Sequence, residues 1–170
     1  MRGDYFFFAT SERTLHAIRR AGRSDDEAVA QLFRAVRRAS LPYLPDLHTA
    51  EEDLWFFRNR VFAECEVWVV QADTIDGFIA FRAGWVDHLY VRADSQRAGL
   101  GTRLLAQAME TYPLLWLWVF QKNEAAIRFY RARGFREIER TDGSRNEERE
   151  PDVLMEWMRN RPVGEGRPQS

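Results

Sequence analysis

A strand that runs through a two-glycine turn directly into a helix leaves few folds open to this chain. The predicted strand Trp85–Arg92 is followed by the loop Gln96–Gly101, which places glycines at positions 99 and 101, where the next helix begins. Because glycine has no Cβ, the backbone of such a turn can come close to a ligand. The free N–H groups of the first helical turn and the positive end of the helix dipole suit a diphosphate. An ordinary tight turn before a helix is the alternative interpretation.

The segments around this turn alternate between strands and helices. Three strands in succession precede it, and a helix, a strand, a helix and two strands follow, which indicates a mixed rather than a wholly parallel sheet. The strand Leu114–Phe120 is almost wholly apolar, as expected of a strand covered on both faces. The predicted strands span residues 14–20, 67–72, 76–83, 85–92, 114–120, 135–140 and 153–158. We therefore predict an α/β fold of the α+β type, with a mixed sheet of about seven strands and about four helices.

The helix ends carry signals of their own. Ser24 and Thr49 each precede a glutamate by three positions, a capping-box spacing that predicts the starts of the first two helices. Asn123 is the predicted N-cap of the last helix, and Gly134 is placed to close it.

Composition argues against several classes of protein. The chain has 25 Lys and Arg against 26 Asp and Glu, so it lacks the positive excess of a general nucleic-acid binder. The single cysteine, Cys65, cannot form an internal disulfide, and no Cys/His cluster has zinc-site spacing, so we expect no metal. We expect Cys65 to be a small buried hydrophobe rather than a catalytic nucleophile. No apolar run approaches about 20 residues, so we expect no membrane partner and a cytoplasmic location.

The length of 170 residues fits about one domain. We assign residues 13–159 to that domain and residues 1–12 to an extension that precedes it. Residues 160–170 form a polar tail rich in turn residues, which we expect to be disordered.

A second motif follows the two-glycine loop after one helix and one strand. The two motifs are Gln96-Arg97-Ala98-Gly99-Leu100-Gly101 and Asn123-Glu124-Ala125-Ala126-Ile127-Arg128-Phe129-Tyr130-Arg131-Ala132-Arg133-Gly134-Phe135. Their order and separation resemble those of the Gcn5-related N-acetyltransferase (GNAT) superfamily, over residues 13–159 and most specifically over residues 89–135. The resemblance implies the acyl-CoA N-acyltransferase fold, with a mostly antiparallel central sheet. It also implies that acetyl-CoA is the co-substrate and that a primary amine attacks it directly in a ternary complex.

The resemblance further implies a role for each matching position. The backbone of Leu89, Tyr90 and Val91 would pair with the pantetheine arm and point an N–H at the thioester carbonyl, where an oxyanion develops. Asn123 would hydrogen-bond the cofactor's arm, cap its helix, or do both. The cradle for the diphosphate would be formed by Gln96, Arg97, Ala98, Gly99, Leu100, Gly101 and Thr102.

Proton transfer needs an acid and a base. The resemblance places Tyr130 near the sulfur, where it would protonate the departing thiolate, and a core aromatic on the same helix face is the alternative. Ribosomal-protein alanine acetyltransferases have a Glu base where this chain has Trp118, which argues against a ribosomal-protein substrate. Other members draw the base from the cofactor strand, where Asp87 and His88 alternate and are expected to face opposite sides of the sheet. His88 suits a base if its pKa is unperturbed, and either residue can instead hydrogen-bond locally at the strand end.

Two loops are expected to frame the acceptor pocket. The loop between the first two helices offers Tyr43, Asp46 and His48 as candidate substrate-binding residues. The loop at residues 141–152 has five acidic residues and two arginines, and it is similar to that of bacterial members of the superfamily. An acidic rim would attract a cationic amine, and a solvated charged loop is the alternative.

Two hypotheses follow for the whole protein. The first is an N-acetyltransferase, monomeric or homodimeric, whose acceptor is the amine of a small molecule or of a protein. The second is a sensor or partner-binding module that holds acyl-CoA without turnover.

Overall fold

Seven strands form one sheet in the computed structural model, which describes residues 15–160. The strands are β1 (Ala17–Arg20), β2 (Glu66–Gln71), β3 (Ile75–Arg82), β4 (Trp85–Val91), β5 (Leu114–Phe120), β6 (Arg136–Arg140) and β7 (Asp152–Met158). The helices are α1 (Asp26–Ser40), α2 (Ala50–Phe56), α3 (Phe62–Glu64), α4 (Leu100–Thr111) and α5 (Glu124–Arg131). A π-helical segment at Phe57–Val61 joins α2 to α3 into one continuous helical body. The predicted fold class is confirmed.

The sheet opens between its two central strands. The strand order is β1-β2-β3-β4-β5-β7-β6, and every neighbouring pair is antiparallel except β4 and β5. These two strands run parallel and share a single register pair, Trp85 with Trp116. Beyond that pair the strands separate, so the β4 backbone at residues 86–91 faces an opening instead of β5. The opening leads directly to the two-glycine loop that follows β4.

Helices cover both faces of the sheet, and β3 shows this most clearly because its side chains alternate between two cores. Phe78 and Ala80 pack into a core with α1 and the π-helical segment, which we call the α1 face. Ile79 and Phe81 pack into a core with α4 and α5, which we call the α4 face.

The prediction that β5 is covered on both faces is wrong for one of them. Leu115, Leu117 and Val119 are buried on the α4 face. Trp118, which alternates with them, is 45% exposed. The reason is that α1 packs chiefly on β3 and β4, so the opposite side of β5 is left to line a cleft.

The helix starts confirm two of the three predicted caps. The Glu52 N–H donates to Thr49 Oγ1 at 3.2 Å and the Thr49 N–H donates to the Glu52 carboxylate at 2.8 Å, which is the predicted capping box. Asn123 caps α5 by accepting from the Ala126 N–H at 3.2 Å, and Gly134 ends the following turn with φ of +89°.

The capping box predicted at Ser24 is wrong. A single 3₁₀ turn at Arg23–Asp25 precedes α1, and the Asp25 carboxylate accepts from the Gly22 N–H at 2.8 Å. Asp25 also accepts two hydrogen bonds from Arg19 on β1. This ion pair to the edge strand fixes the helix start one residue later than the local pattern predicts.

The extension predicted at residues 1–12 and all but the first residue of the tail lie outside the described residues. Within residues 15–160, no helix has both the length and the apolar character that a bilayer span requires. In the same range, no group of three or more His, Cys, Asp and Glu side chains is arranged to hold a metal ion.

Candidate active site

The two-glycine loop ends in a helix start with unpaired N–H groups. Gly99 is the N-cap of α4 and has φ of +78°, a left-handed conformation that glycine adopts without strain. A Cβ built on Gly99 would meet nothing within 4 Å, so the space beside it is open. The Arg103 N–H donates to the Gly99 carbonyl at 3.1 Å, which leaves the N–H groups of residues 100–102 without a partner inside the helix. Open space before three such donors, at the positive end of a helix, fits a diphosphate.

The loop that precedes α4 is held in shape by one of its own side chains. Gln96 Nε2 donates to the Val91 carbonyl at 3.0 Å, at the end of β4. Arg97 is exposed and has a φ of +65°, and Ala98 is exposed beside it. Gln96 therefore shapes the loop, whereas Arg97 and Ala98 present its backbone to solvent.

Gly101 is a glycine for a different reason from Gly99. A Cβ built on Gly101 would lie 3.2 Å from Cζ of Phe129, on α5. Position 101 therefore faces the neighbouring helix, and its small size lets α4 and α5 approach each other.

A β-bulge changes the expected directions of Asp87 and His88. Phe81 pairs with Val86 and Ala80 pairs with His88, so Asp87 is the extra residue of β4. Both Asp87 and His88 line the same cleft on the α1 face, and the prediction that they face opposite sides of the sheet is wrong. The Asp87 carboxylate accepts from Arg82 Nε at 2.9 Å.

His88 is surrounded by aromatic rings. Its imidazole centroid lies 5.4 Å from that of Phe57, 5.7 Å from that of Phe33 and 6.1 Å from that of Phe56. Burial lowers the pKa of His88 to about 4, because the cation would lose its hydration. The condition that would make His88 a base near neutrality, an unperturbed pKa, is therefore absent.

Cys65 lies near Asp87 and is partly buried. Its Sγ is 3.4 Å from Asp87 Oδ2. Burial, reinforced by the nearby carboxylate, raises the pKa of the Cys65 thiol to about 12. The thiol stays protonated at neutral pH, and a thiol reacts as its thiolate.

Tyr130 is buried on α5, beside the opening in the sheet. Its ring packs against Phe129 and Phe135, with centroids 5.2 and 5.4 Å away. Burial, together with the neighbouring Tyr90 hydroxyl, raises the pKa of Tyr130 above its usual range. Tyr130 is thus a core aromatic whose hydroxyl keeps its proton at neutral pH.

A cleft of about 690 Å³ lies on the α1 face, in front of the opening. It is bounded by α1, the α1–α2 loop, β4, β5 and the β6–β7 loop. Asp46 and His48 line it, and their role in binding the acceptor stays a prediction. Tyr43 is not among its lining residues, because its ring lies under Lys122, whose Nζ is 5.4 Å from the ring centroid.

Ion pairs tie the two loops together across the cleft. His48 Nε2 lies 3.0 Å from a Glu147 carboxylate oxygen, which raises the pKa of His48. On the wall of the cleft, Arg37 donates to Glu148 at 2.7 Å. Asp46 is held by Arg38 at 2.5 Å.

The cleft carries more negative than positive charge. Three arginines line it, Arg34, Arg37 and Arg38. Six acidic residues line it: Asp46, Glu52, Asp53, Asp87, Glu147 and Glu148. Arg82 pairs with Asp87 from outside the lining, so two negative charges are in excess when His48 is neutral and one when it is protonated. Such a field attracts a cation.

The residues of this arrangement match a known protein family. The Acetyltransferase (GNAT) domain family matches residues 63–137, which include β4, the two-glycine loop and α5. Residues 63–137 thus match a GNAT acetyltransferase domain. The chain is an acetyl-CoA-dependent acyltransferase.

Two relatives and one solved structure illustrate the similarity within this superfamily. The peptidyl-lysine N-acetyltransferase YiaC of Escherichia coli is 28% identical over 142 residues, which are 82% of this chain and 95% of that protein. The peptidyl-lysine N-acetyltransferase YjaB of Salmonella typhimurium is 27% identical over 128 residues, 74% of this chain and 86% of that protein. The PaiA N-acetyltransferase of Thermoplasma acidophilum, solved with coenzyme A, has the same fold with a TM-score of 0.68 at 21% identity, over 85% of this chain and 99% of that one.

Two features of this GNAT member were not predicted as parts of the site. The first is Arg133, which contacts Thr102 of the proposed cradle. The second is Trp118, whose exposed side chain lines the cleft where the alanine-specific enzymes have their Glu. The sequence marks Arg133 only by its place in the second motif, and no local pattern connects it to a residue on α4.

Proposed function

We propose that this protein transfers an acetyl group from acetyl-CoA to the side-chain amine of a lysine in another protein. The acidic cleft in front of the β4 opening carries the proposal, because it offers a protonated lysine an attractive field beside the unpaired edge of β4. Two relatives named as peptidyl-lysine N-acetyltransferases, both matched over most of their length, support this acceptor.

The residues present fit acetyl-CoA, which supplies the acyl group activated as a thioester. The N–H groups of residues 100–102 and the open space beside Gly99 would hold the diphosphate. The β4 edge at Leu89–Val91 would pair with the pantetheine arm, since β5 leaves that edge without a partner. Asn123 Oδ1 is engaged as the cap of α5, so its amide nitrogen is the group that would reach the arm.

Backbone donors would stabilise the charge that develops during attack. The β4 edge points toward the opening, where an N–H in Leu89–Val91 would donate to the thioester carbonyl oxygen as it becomes an oxyanion. A strand held by β3 on its other side is a rigid donor, and pre-organised donors contribute most to such stabilisation.

We assign removal of the amine proton to Asp87. A carboxylate that takes up a proton becomes neutral, whereas imidazole becomes a cation, which burial disfavours. His88 lies among aromatic rings and has a pKa of about 4, so its protonation is disfavoured there. Asp87 lies at the bulge and is partly exposed, so it can pass the proton on to water.

Tyr130 would act at the other end of the reaction. Its raised pKa keeps the hydroxyl protonated, so the group is available to donate to the departing sulfur. Only 8% of the Tyr130 surface is exposed, so most of the side chain is shielded from solvent.

The test measures thiol release from acetyl-CoA with three acceptors: a lysine peptide with a blocked N-terminus, a lysine-free peptide with a free N-terminus, and spermidine. We expect release with the blocked lysine peptide only. Release with spermidine alone would contradict the protein acceptor. Tight binding of coenzyme A with no release from any acceptor would support the acyl-CoA sensor instead.

A further inference from the structure

Arg133 links the end of α5 to the start of α4. Its Nε donates to Thr102 Oγ1 at 3.0 Å, and one terminal nitrogen donates to the same oxygen. The other terminal nitrogen donates to the Phe129 carbonyl at 2.7 Å. Arg133 thereby commits three of its five N–H groups to fixed partners.

Stacking fixes the plane of this guanidinium. The Arg133 carbon Cζ lies 3.6 Å from the centroid of the Phe129 ring, a close cation–π contact. Gly101 lies against the same ring, which fits there because glycine has no Cβ. Gly101, Thr102, Phe129 and Arg133 therefore form one packed unit at the first turn of α4, which we call the α4–α5 clamp.

We infer that Arg133 is a positioning residue that orients the Thr102 hydroxyl as a donor toward the diphosphate of coenzyme A. The inference rests on the proposed use of the α4 start as the diphosphate cradle. A threonine hydroxyl has one donor and two acceptor sites, and an arginine can only donate. Because two N–H groups of Arg133 occupy the acceptor sites of Thr102 Oγ1, the hydroxyl hydrogen has to point away from Arg133.

The positive charge of Arg133 also favours binding of the diphosphate. The guanidinium lies within hydrogen-bond distance of the first turn of α4, where N–H groups already produce a positive potential. Its position is half-buried, so the charge is screened less than that of a surface arginine. Arg128 offers a matched comparison, because it lies on α5 shortly before Arg133, is exposed and pairs with Glu124 at 3.3 Å.

Binding and turnover experiments separate this role from a structural one. Coenzyme A, which has the diphosphate, and pantetheine, which lacks it, are titrated calorimetrically into the full chain and into Arg133→Leu, Thr102→Val, Thr102→Ser and Arg128→Leu. Loss of a hydrogen bond to a charged group predicts about tenfold weaker binding of coenzyme A to Arg133→Leu and Thr102→Val. We expect Arg128→Leu to bind coenzyme A and to turn over S-acetylpantetheine as the unaltered chain does, and Thr102→Ser, which keeps the hydroxyl, to recover the affinity for coenzyme A that Thr102→Val loses. In Arg133→Leu and Thr102→Val the loss should be much larger for coenzyme A than for pantetheine.

A double variant decides whether the two residues act as a unit. Arg133→Leu combined with Thr102→Val should bind coenzyme A no more weakly than either single variant, whereas additive losses would overturn the inference. Equal loss of acetyl-CoA and S-acetylpantetheine turnover would assign Arg133 a purely structural role. If Arg133→Leu does not fold, Thr102→Val, at an exposed position, decides the question alone. Failure of the unaltered chain to bind coenzyme A at all would instead contradict the proposed cofactor site.

Discussion

Phe129 occupies the space into which a side chain at Gly101 would project. The distance from an added Cβ at position 101 to Phe129 Cζ would be 3.2 Å, and that to Cε2 would be 3.3 Å. The two helices that flank the proposed cofactor site are thus fitted to each other at one residue of each.

This fit predicts that the effect of Gly101→Ala on the free energy of unfolding depends in sign on the residue at position 129. Alanine is favoured over glycine inside a helix by about 1 kcal/mol, but overpacking costs roughly 1–3 kcal/mol. We expect Gly101→Ala to lower the free energy of unfolding in the native background. In a Phe129→Leu background, where the contact is relieved, we expect the same change to raise it. Urea unfolding of the four variants measures both values.

The same sign in both backgrounds would contradict this account of Gly101. Gly134→Ala supplies a control for loss of glycine in a different environment. It should destabilise in either background, because Gly134 has φ of +89° and its added Cβ would face Trp157 rather than Phe129.

Asp87→Asn tests the proposed base. Removing a general base lowers turnover by about a hundredfold or more, so kcat should fall by that amount while the affinity for coenzyme A stays within a few-fold. Arg82→Gln is the control, because it removes the ion pair at 2.9 Å and keeps the carboxylate. Steady-state thiol release measures kcat for both variants. A larger loss in His88→Phe than in Asp87→Asn would assign the proton to His88 instead.

Local patterns predict much of this fold because its strands and helix starts are specified by near neighbours. The capping box at Thr49 involves residues three apart, and the cap of Asn123 is equally local. The capping box predicted at Ser24 does not form, because Asp25 is held by Arg19, which lies six residues away on β1.

The site is less predictable for the same reason. The bulge at Asp87 is visible only in the pairing of β4 with β3, so alternation along the sequence gave the wrong direction for one residue. Arg133 and Thr102 are 31 positions apart, and no periodicity connects them. The two glycines of the loop predict the proposed cradle. The tertiary contacts then show that Gly99 has open space beside it, whereas Gly101 makes room for Phe129.

The buried His88 predicts a loss of stability in acid. Its pKa is lowered from 6.5 to about 4, chiefly by burial, so the unfolded chain binds more protons than the folded one between these pH values. The stability from neutral His88 is present above pH 6.5 and decreases as the pH falls toward 4. The free energy of unfolding falls by an amount on the order of 3 kcal/mol over this range. His88→Phe should reduce the slope of unfolding free energy against pH in this window.

His48 gives the opposite sign and serves as the comparison. Its pKa is raised by Glu147, so its contribution is present below the unfolded pKa and is lost as the pH rises through the folded value. His48→Gln should therefore leave the slope between pH 4 and 6.5 nearly unchanged. An unaltered acid slope in His88→Phe would show that the imidazole is not held neutral by its aromatic neighbours.

Tyr130→Phe separates the two interpretations of the buried tyrosine. Phenylalanine keeps the ring that packs against Phe129 and Phe135, so the affinity for coenzyme A and the melting temperature should change little. The hydroxyl is lost, so kcat for acetyl transfer should fall by about a hundredfold, as expected when a proton donor is removed. Calorimetry gives the affinity and thiol release gives kcat. An unchanged kcat, or equal losses of kcat and affinity, would show that Tyr130 serves only as a core aromatic, because proton donation alone would lower turnover without weakening binding.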